Sequence, residues 1–139
     1  MVELLLVSFS LAGLSIALYF SLVYYGVIEA DNRWIPSFCR MEKGACVRIL
    51  DTPEAKLLGF PNSVLGVIYY LAILFVPIDR YETLFLLASI VSVGLGMYLV
   101  RVLIARLKVH CPLCYTAHGI NLVIANLFIV KAFQLHQIF

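Results

Sequence analysis

Four cysteines carry the chemistry this chain could do, and they fall as two pairs. Cys39 and Cys46 have six residues between them, while Cys111 and Cys114 frame the tetrapeptide Cys-Pro-Leu-Cys. Thiol–disulfide exchange needs a thiolate that can reach a disulfide sulfur and form a mixed disulfide. Pro112 lacks an N–H and has a preset φ, which suits the first turn of a helix. Cys111 then sits at a helix N-terminus, where unpaired N–H groups and the helix dipole stabilise a thiolate. Cys111 and Cys114 are three residues apart, so they share one helical face and can close a disulfide. The same face continues to His118 and Asn121, with Tyr115 and Thr116 beside it. That polar stripe suits the carbonyl oxygens of a flat, apolar ligand, because polar groups in a membrane helix are costly and usually line a site.

The elements that must position these residues are membrane helices. Of 139 residues, 63% are hydrophobic, against roughly 45–50% for a soluble domain. The mean hydropathy is +1.02. Apolar residues gather in blocks at 4–28, 60–78, 81–103 and 111–133, each near the ~20 residues that cross a bilayer core. The expected fold is an all-α membrane protein, a four-transmembrane-helix bundle forming one domain over 1–139. The first block reads as a membrane helix and not a cleaved signal, since it is long and begins at Glu3 without a basic stretch. Ser8, Ala12 and Ser15 on the first helix, and Gly94 and Gly96 on the third, read as small residues for close helix approach. Tyr69, Tyr70 and Tyr98 read as packing or interfacial residues.

One connection is long, 29–59. It carries Glu29, Asp31, Arg33, Arg40, Glu42, Lys43, Arg48, Asp51, Glu54 and Lys56, so it lies outside the hydrocarbon. Trp34, Ile35 and Phe38 give it an apolar strip suited to capping the bundle. Asp51-Thr52-Pro53-Glu54 reads as a helix start. With four spans, the long connection and the third one share a face, so all four cysteines meet on it. Three readings of the cysteines follow: a redox relay, a structural disulfide framework, and a zinc site in which His110 could join the cysteines. The Cys39–Cys46 spacing is wider than the knuckles usual in structural zinc sites, and no metal is expected.

The order of these features resembles the vitamin K epoxide reductase family with its prokaryotic, quinone-linked homologues. The resemblance rests on a loop cysteine pair between helices one and two and on Cys-x-x-Cys opening the fourth. It also rests on Phe60-Pro61-Asn62-Ser63-Val64-Leu65-Gly66 at the entry to helix two. The bacterial disulfide-generating protein DsbB has similar chemistry but places its Cys-x-x-Cys in the first loop. The resemblance implies that Cys39 exchanges with a separate thioredoxin-like protein and that Cys46 relays to Cys111 through a transient bond. It implies that Cys114 faces the quinone, that Asn62 hydrogen-bonds a quinone oxygen, and that Thr52 helps close the loop over the site. His118 stands where many members have a tyrosine.

The implied enzyme is a quinone-dependent thiol–disulfide oxidoreductase. Its electrons run from a reduced thioredoxin-like partner through Cys39/Cys46 and Cys111/Cys114 to a quinone such as menaquinone, ubiquinone or vitamin K. The alternatives are a vitamin K epoxide reductase, a zinc-stabilised membrane scaffold, and a small transporter or assembly factor with structural disulfides. Nucleic acid is not an expected partner. For orientation, Arg33, Arg40, Lys43, Arg48, Lys56, Arg101, Arg106 and Lys108 fall on the cysteine face, against Arg80 and Lys131 opposite. The positive-inside rule then puts the cysteines in the cytoplasm. The family default puts them outside it.

Overall fold

A computed structural model of the chain describes residues 1–28, 52–108 and 110–138. Four helices dominate the described residues: α1 (Val2–Tyr24), α2 (Asn62–Phe75), α3 (Glu82–Val102) and α4 (Pro112–Ile138). Helix α1 packs against α2 and α4, and α3 packs against α4. Three of the helices, with α3 running on to Leu107, are long and apolar enough to cross a membrane. Exposed Ile68, Leu84, Val91, Met97, Leu122 and Phe133 give the helices the apolar exterior that a bilayer requires.

Helix α2 is the departure from expectation, because 60–78 was read as a full span and only 14 residues are helical. Prolines set both limits. Val76 precedes Pro77 and takes an extended conformation (ψ 135°), since a following proline ring disfavours the helical region. At the other end Phe60–Pro61 forms a strand, β2, pairing antiparallel with β1 (Lys56–Leu57). The turn between them places Leu58 at φ 56° and Gly59 at φ 83°, the double positive φ of a type I′ hairpin.

The other helix ends have similarly local causes. Helix α1 ends before residue 28 because Gly26 takes φ 71°, with Val27 N–H on Leu22 O at 2.9 Å and Gly26 N–H on Val23 O at 3.1 Å. That pair of bonds is a Schellman ending, which favours glycine. Helix α3 widens into a π-helical turn, Leu103–Leu107, and stops at Lys108 in the left-handed region. Helix α4 begins at Pro112 as expected and runs to Ile138, past residue 133. Gln134, His136 and Gln137 break the apolar block without breaking the helix, since none of them is a helix-breaking residue. The Asp51–Glu54 motif yields one 3-10 turn, Pro53–Ala55.

Two small-residue expectations need correction. The buried stripe of α1 is Leu6, Ser10, Gly13, Ala17 and Phe20, at the three- and four-residue spacings of one helical face. Ser8, Ala12 and Ser15 are exposed, with the Ser8 and Ser15 hydroxyls donating to Leu4 O and Leu11 O. On α3 only Gly96 meets a neighbour, and a side chain at Gly94 would meet open space.

The core joins Leu6, Tyr70, Ile73, Phe85, Ile124 and Phe128, with Phe85 and Phe128 stacked at 5.8 Å between ring centroids. Ion pairs mark the two ends of the bundle. At one, Arg106 meets Glu54 at 2.6 Å, so the segment leading into α2 lies beside the α3–α4 connection. At the other, buried Lys131 meets Glu3 at 3.2 Å and Asp79 at 2.6 Å.

Candidate active site

Cys111 is the residue immediately before α4, and its carbonyl accepts the Tyr115 N–H at 3.1 Å. It is therefore the helix N-cap, the position whose side chain ordinarily accepts an N–H of the first turn. Here the side chain is a thiol. The Cys114 N–H donates to Cys111 Sγ at 3.3 Å. An N–H aimed at sulfur from the positive end of a helix favours negative charge on that atom. Cys111 is fully buried against Phe20 and Leu103, and Cys114 is half-buried. Just outside, His110 Nδ1 lies 3.2 Å from the Tyr115 hydroxyl.

Cys114 opens onto a cavity of about 150 Å³. Ile16, Ala17 and Phe20 of α1, Ala55, Leu99 and Leu103 make its apolar wall, while Asn62, Ser63, Tyr70, His118 and Asn121 bring polar atoms. A second cavity of about 200 Å³ lies between α2, α3 and α4, lined by Leu65, Tyr69, Val91, Ser92 and Leu95 among others. Asn62, Gly66, Leu99, His118 and Asn121 line both. Together the two reach the lower end of small-molecule site volumes, roughly 300 Å³.

The polar atoms are placed by specific contacts. Asn62 is the first residue of α2, and its Nδ2 donates to Glu54 O at 3.1 Å. It therefore ties the 53–55 turn to the helix start, and the N-cap position itself is held by Pro61. His118 packs on Gly96, where an added Cβ would sit 2.8 Å from Nδ1. Among the described residues His118 Nδ1, Ser63 Oγ and Tyr69 OH are buried without a hydrogen-bond partner. Buried orphans cost about 1–3 kcal/mol each, so a cavity lined by such atoms is suited to a ligand that bears polar oxygens. Apolar walls with a few convergent polar groups fit a flat ring carrying carbonyls.

Of the residues anticipated from sequence, Cys111, Cys114, Asn62 and His118 gather around this space. Thr52 begins the 53–55 turn and accepts the Ala55 N–H at 3.1 Å. It is Ala55 of that turn that reaches the cavity wall. Cys39 and Cys46 lie outside the described residues.

Tyr70, read from sequence as a packing residue, also belongs to the site. Its hydroxyl donates to Asn121 Oδ1 at 2.5 Å, and it lines the first cavity. The signal was present: Asn62, Gly66 and Tyr70 recur every four residues, one face of a helix.

Comparison with known proteins gives the family of the chain. The model of the vitamin K epoxide reductase family matches residues 4–129, which takes in most of α1, the long connection, all four cysteines and most of α4. No curated protein gives a match. The chain belongs to the vitamin K epoxide reductase family, whose members are oxidoreductases that act with quinones.

Proposed function

We propose that this chain is a membrane thiol–disulfide oxidoreductase that takes electrons from a reduced thioredoxin-like protein and passes them to a quinone, generating disulfides in its partner. The observation that carries the proposal is the position of Cys114. It shares the first turn of α4 with the sulfur-capping Cys111, and it lines the cavity that Asn62, His118 and Asn121 also face.

The relay balances as follows. The partner dithiol reduces the Cys39–Cys46 disulfide and becomes a disulfide itself. Cys46 then attacks Cys111 of the Cys111–Cys114 disulfide, forming a transient Cys46–Cys111 bond and releasing Cys114 as a thiolate. Cys39 resolves that bond, restoring Cys39–Cys46 and leaving the α4 pair reduced. A quinone, when bound, supplies an acceptor for two electrons and two protons. Cys114 delivers the electron pair toward the cavity and Cys111 closes the disulfide on it. Asn62, Asn121 and His118 hold the ligand oxygens, and the apolar wall excludes water.

In this reading α2 is a fourth crossing. Its 14 residues rise about 21 Å, against a hydrocarbon core of ~30 Å, and the hairpin before it and Val76–Pro77 after it complete the path. The cysteine face is cytoplasmic in the proposal, because Lys56, Arg101, Arg106 and Lys108 are exposed at that end and basic residues favour the inside. An impermeant maleimide applied to intact cells should then leave Cys39 unlabelled in a variant retaining that cysteine alone. Rapid labelling from outside would reverse the orientation.

The function is tested by following quinone absorbance with purified protein and a reduced thioredoxin-like donor. The proposal expects turnover with stoichiometric oxidation of the donor. No turnover with any quinone, together with equimolar zinc in the purified protein, would favour the scaffold reading.

A further inference from the structure

The cavity lining divides its amide groups unevenly. Asn62 spends one of its two N–H donors on Glu54 O. Asn121 makes a different bond: its Oδ1 is occupied by the Tyr70 hydroxyl at 2.5 Å. The Tyr70 hydroxyl takes one of the two lone pairs of Oδ1, and the NH2 supplies the donors of the amide. Asn121 is on the wall of both cavities.

The tyrosine making this bond is itself held firmly. Tyr70 is 3% exposed, and its ring lies against Gly13 of α1, where an added Cβ would sit 2.8 Å from the hydroxyl oxygen. Only a residue without a side chain leaves room there. Gly13 on α1, Tyr70 on α2 and Asn121 on α4 therefore form one contact line across three helices, ending in an amide whose orientation the hydroxyl dictates. A carbonyl oxygen is the ligand chemistry that an oriented NH2 recognises.

We infer that Tyr70 is a positioning residue that turns the Asn121 amide so that its NH2 donates to a carbonyl oxygen of the bound quinone. The inference rests on the quinone reading, and it adds Asn121 as a ligand-contacting residue and Tyr70 as the group acting through it. Tyr70 itself transfers no electron in this scheme.

The test uses the full chain in detergent, dithiothreitol as reductant of the α4 pair and menadione as the quinone probe. Tyr70→Phe keeps the ring on Gly13 and deletes only the hydroxyl, while Asn121→Leu keeps volume and deletes the amide. Loss of one hydrogen bond should raise the menadione KM about fivefold in each variant. The kcat at saturating menadione should change less than about twofold, because the bond is made equally in the ground and transition states. The double variant should match Asn121→Leu alone, since Tyr70 acts only through Asn121. Calorimetric titration of menadione onto the same proteins supplies a readout independent of turnover. Absent turnover with binding intact in the wild-type chain would defeat the relay but leave this inference standing, provided the variants bind more weakly. An unchanged KM and affinity in Tyr70→Phe, or effects that multiply in the double variant, would overturn it. Loss of kcat in place of KM would also overturn it.

Discussion

Gly96→Ala is the smallest change expected to damage the site. The added methyl would lie 2.8 Å from His118 Nδ1 and 3.2 Å from its Cγ. An unstrained contact needs roughly 3.5 Å, so the ring must retreat by about 0.7 Å or α3 must move off α4. Overpacking of this kind costs about 1–3 kcal/mol. If the loss falls on ligand binding, it converts to a rise of about 5- to 150-fold in the quinone KM. The assay is menadione reduction with dithiothreitol, repeated in a His118→Ala background. Removing the imidazole removes the clash, so Gly96→Ala should have little further effect there, a coupling of at least about 1 kcal/mol in the double-mutant cycle. A Gly96→Ala protein with wild-type KM would refute the reasoning. So would an equal penalty with and without the His118 ring, which would place the damage elsewhere in α3.

Other predictions concern the supports of the site. Asn62→Ala should lose the bond to Glu54 O, lowering stability by about 1 kcal/mol and raising the menadione KM; thermal melting and kinetics read the two effects separately. Arg106→Ala breaks a pair whose arginine is 68% exposed, so melting should fall by the equivalent of no more than ~1 kcal/mol, and less at high salt. At the opposite end, Glu3→Gln and Asp79→Asn each leave Lys131 one partner, and each should cost at most about 1 kcal/mol because both carboxylates are largely exposed. The double change leaves a buried lysine without either partner and should cost more than the two singles together in a denaturation series. Leu58→Gly relieves a left-handed residue at the hairpin tip (φ 56°) and should be neutral or raise stability by about 1 kcal/mol.

The sequence carried the helical membrane class and the α4 site because both depend on local signals. Apolar blocks of spanning length are contiguous, and Cys-Pro-Leu-Cys announces a helix start through Pro112 alone. Where expectation and structure part, the deciding contact is nonlocal or a terminator was overlooked. Pro61 and Pro77 bound α2, and both were readable as breakers inside an apolar run. The burial of Ser10 and Gly13 in place of Ser8 and Ala12 depends on which way α1 faces, which small-residue spacing alone does not fix. Tyr70 was hard to read as a site residue because its partner, Asn121, is 51 positions away. Its face-mates Asn62 and Gly66 were the only hint.

The central claim is that the α4 dithiol itself hands electrons to the quinone, with the loop pair serving only to recharge it. Replacing Cys39 and Cys46 together by alanine isolates that step, with dithiothreitol supplying electrons directly to Cys111–Cys114. This protein should still reduce menadione, and adding Cys114→Ala should abolish the reaction. Quinone reduction that survives without Cys114 would contradict the account.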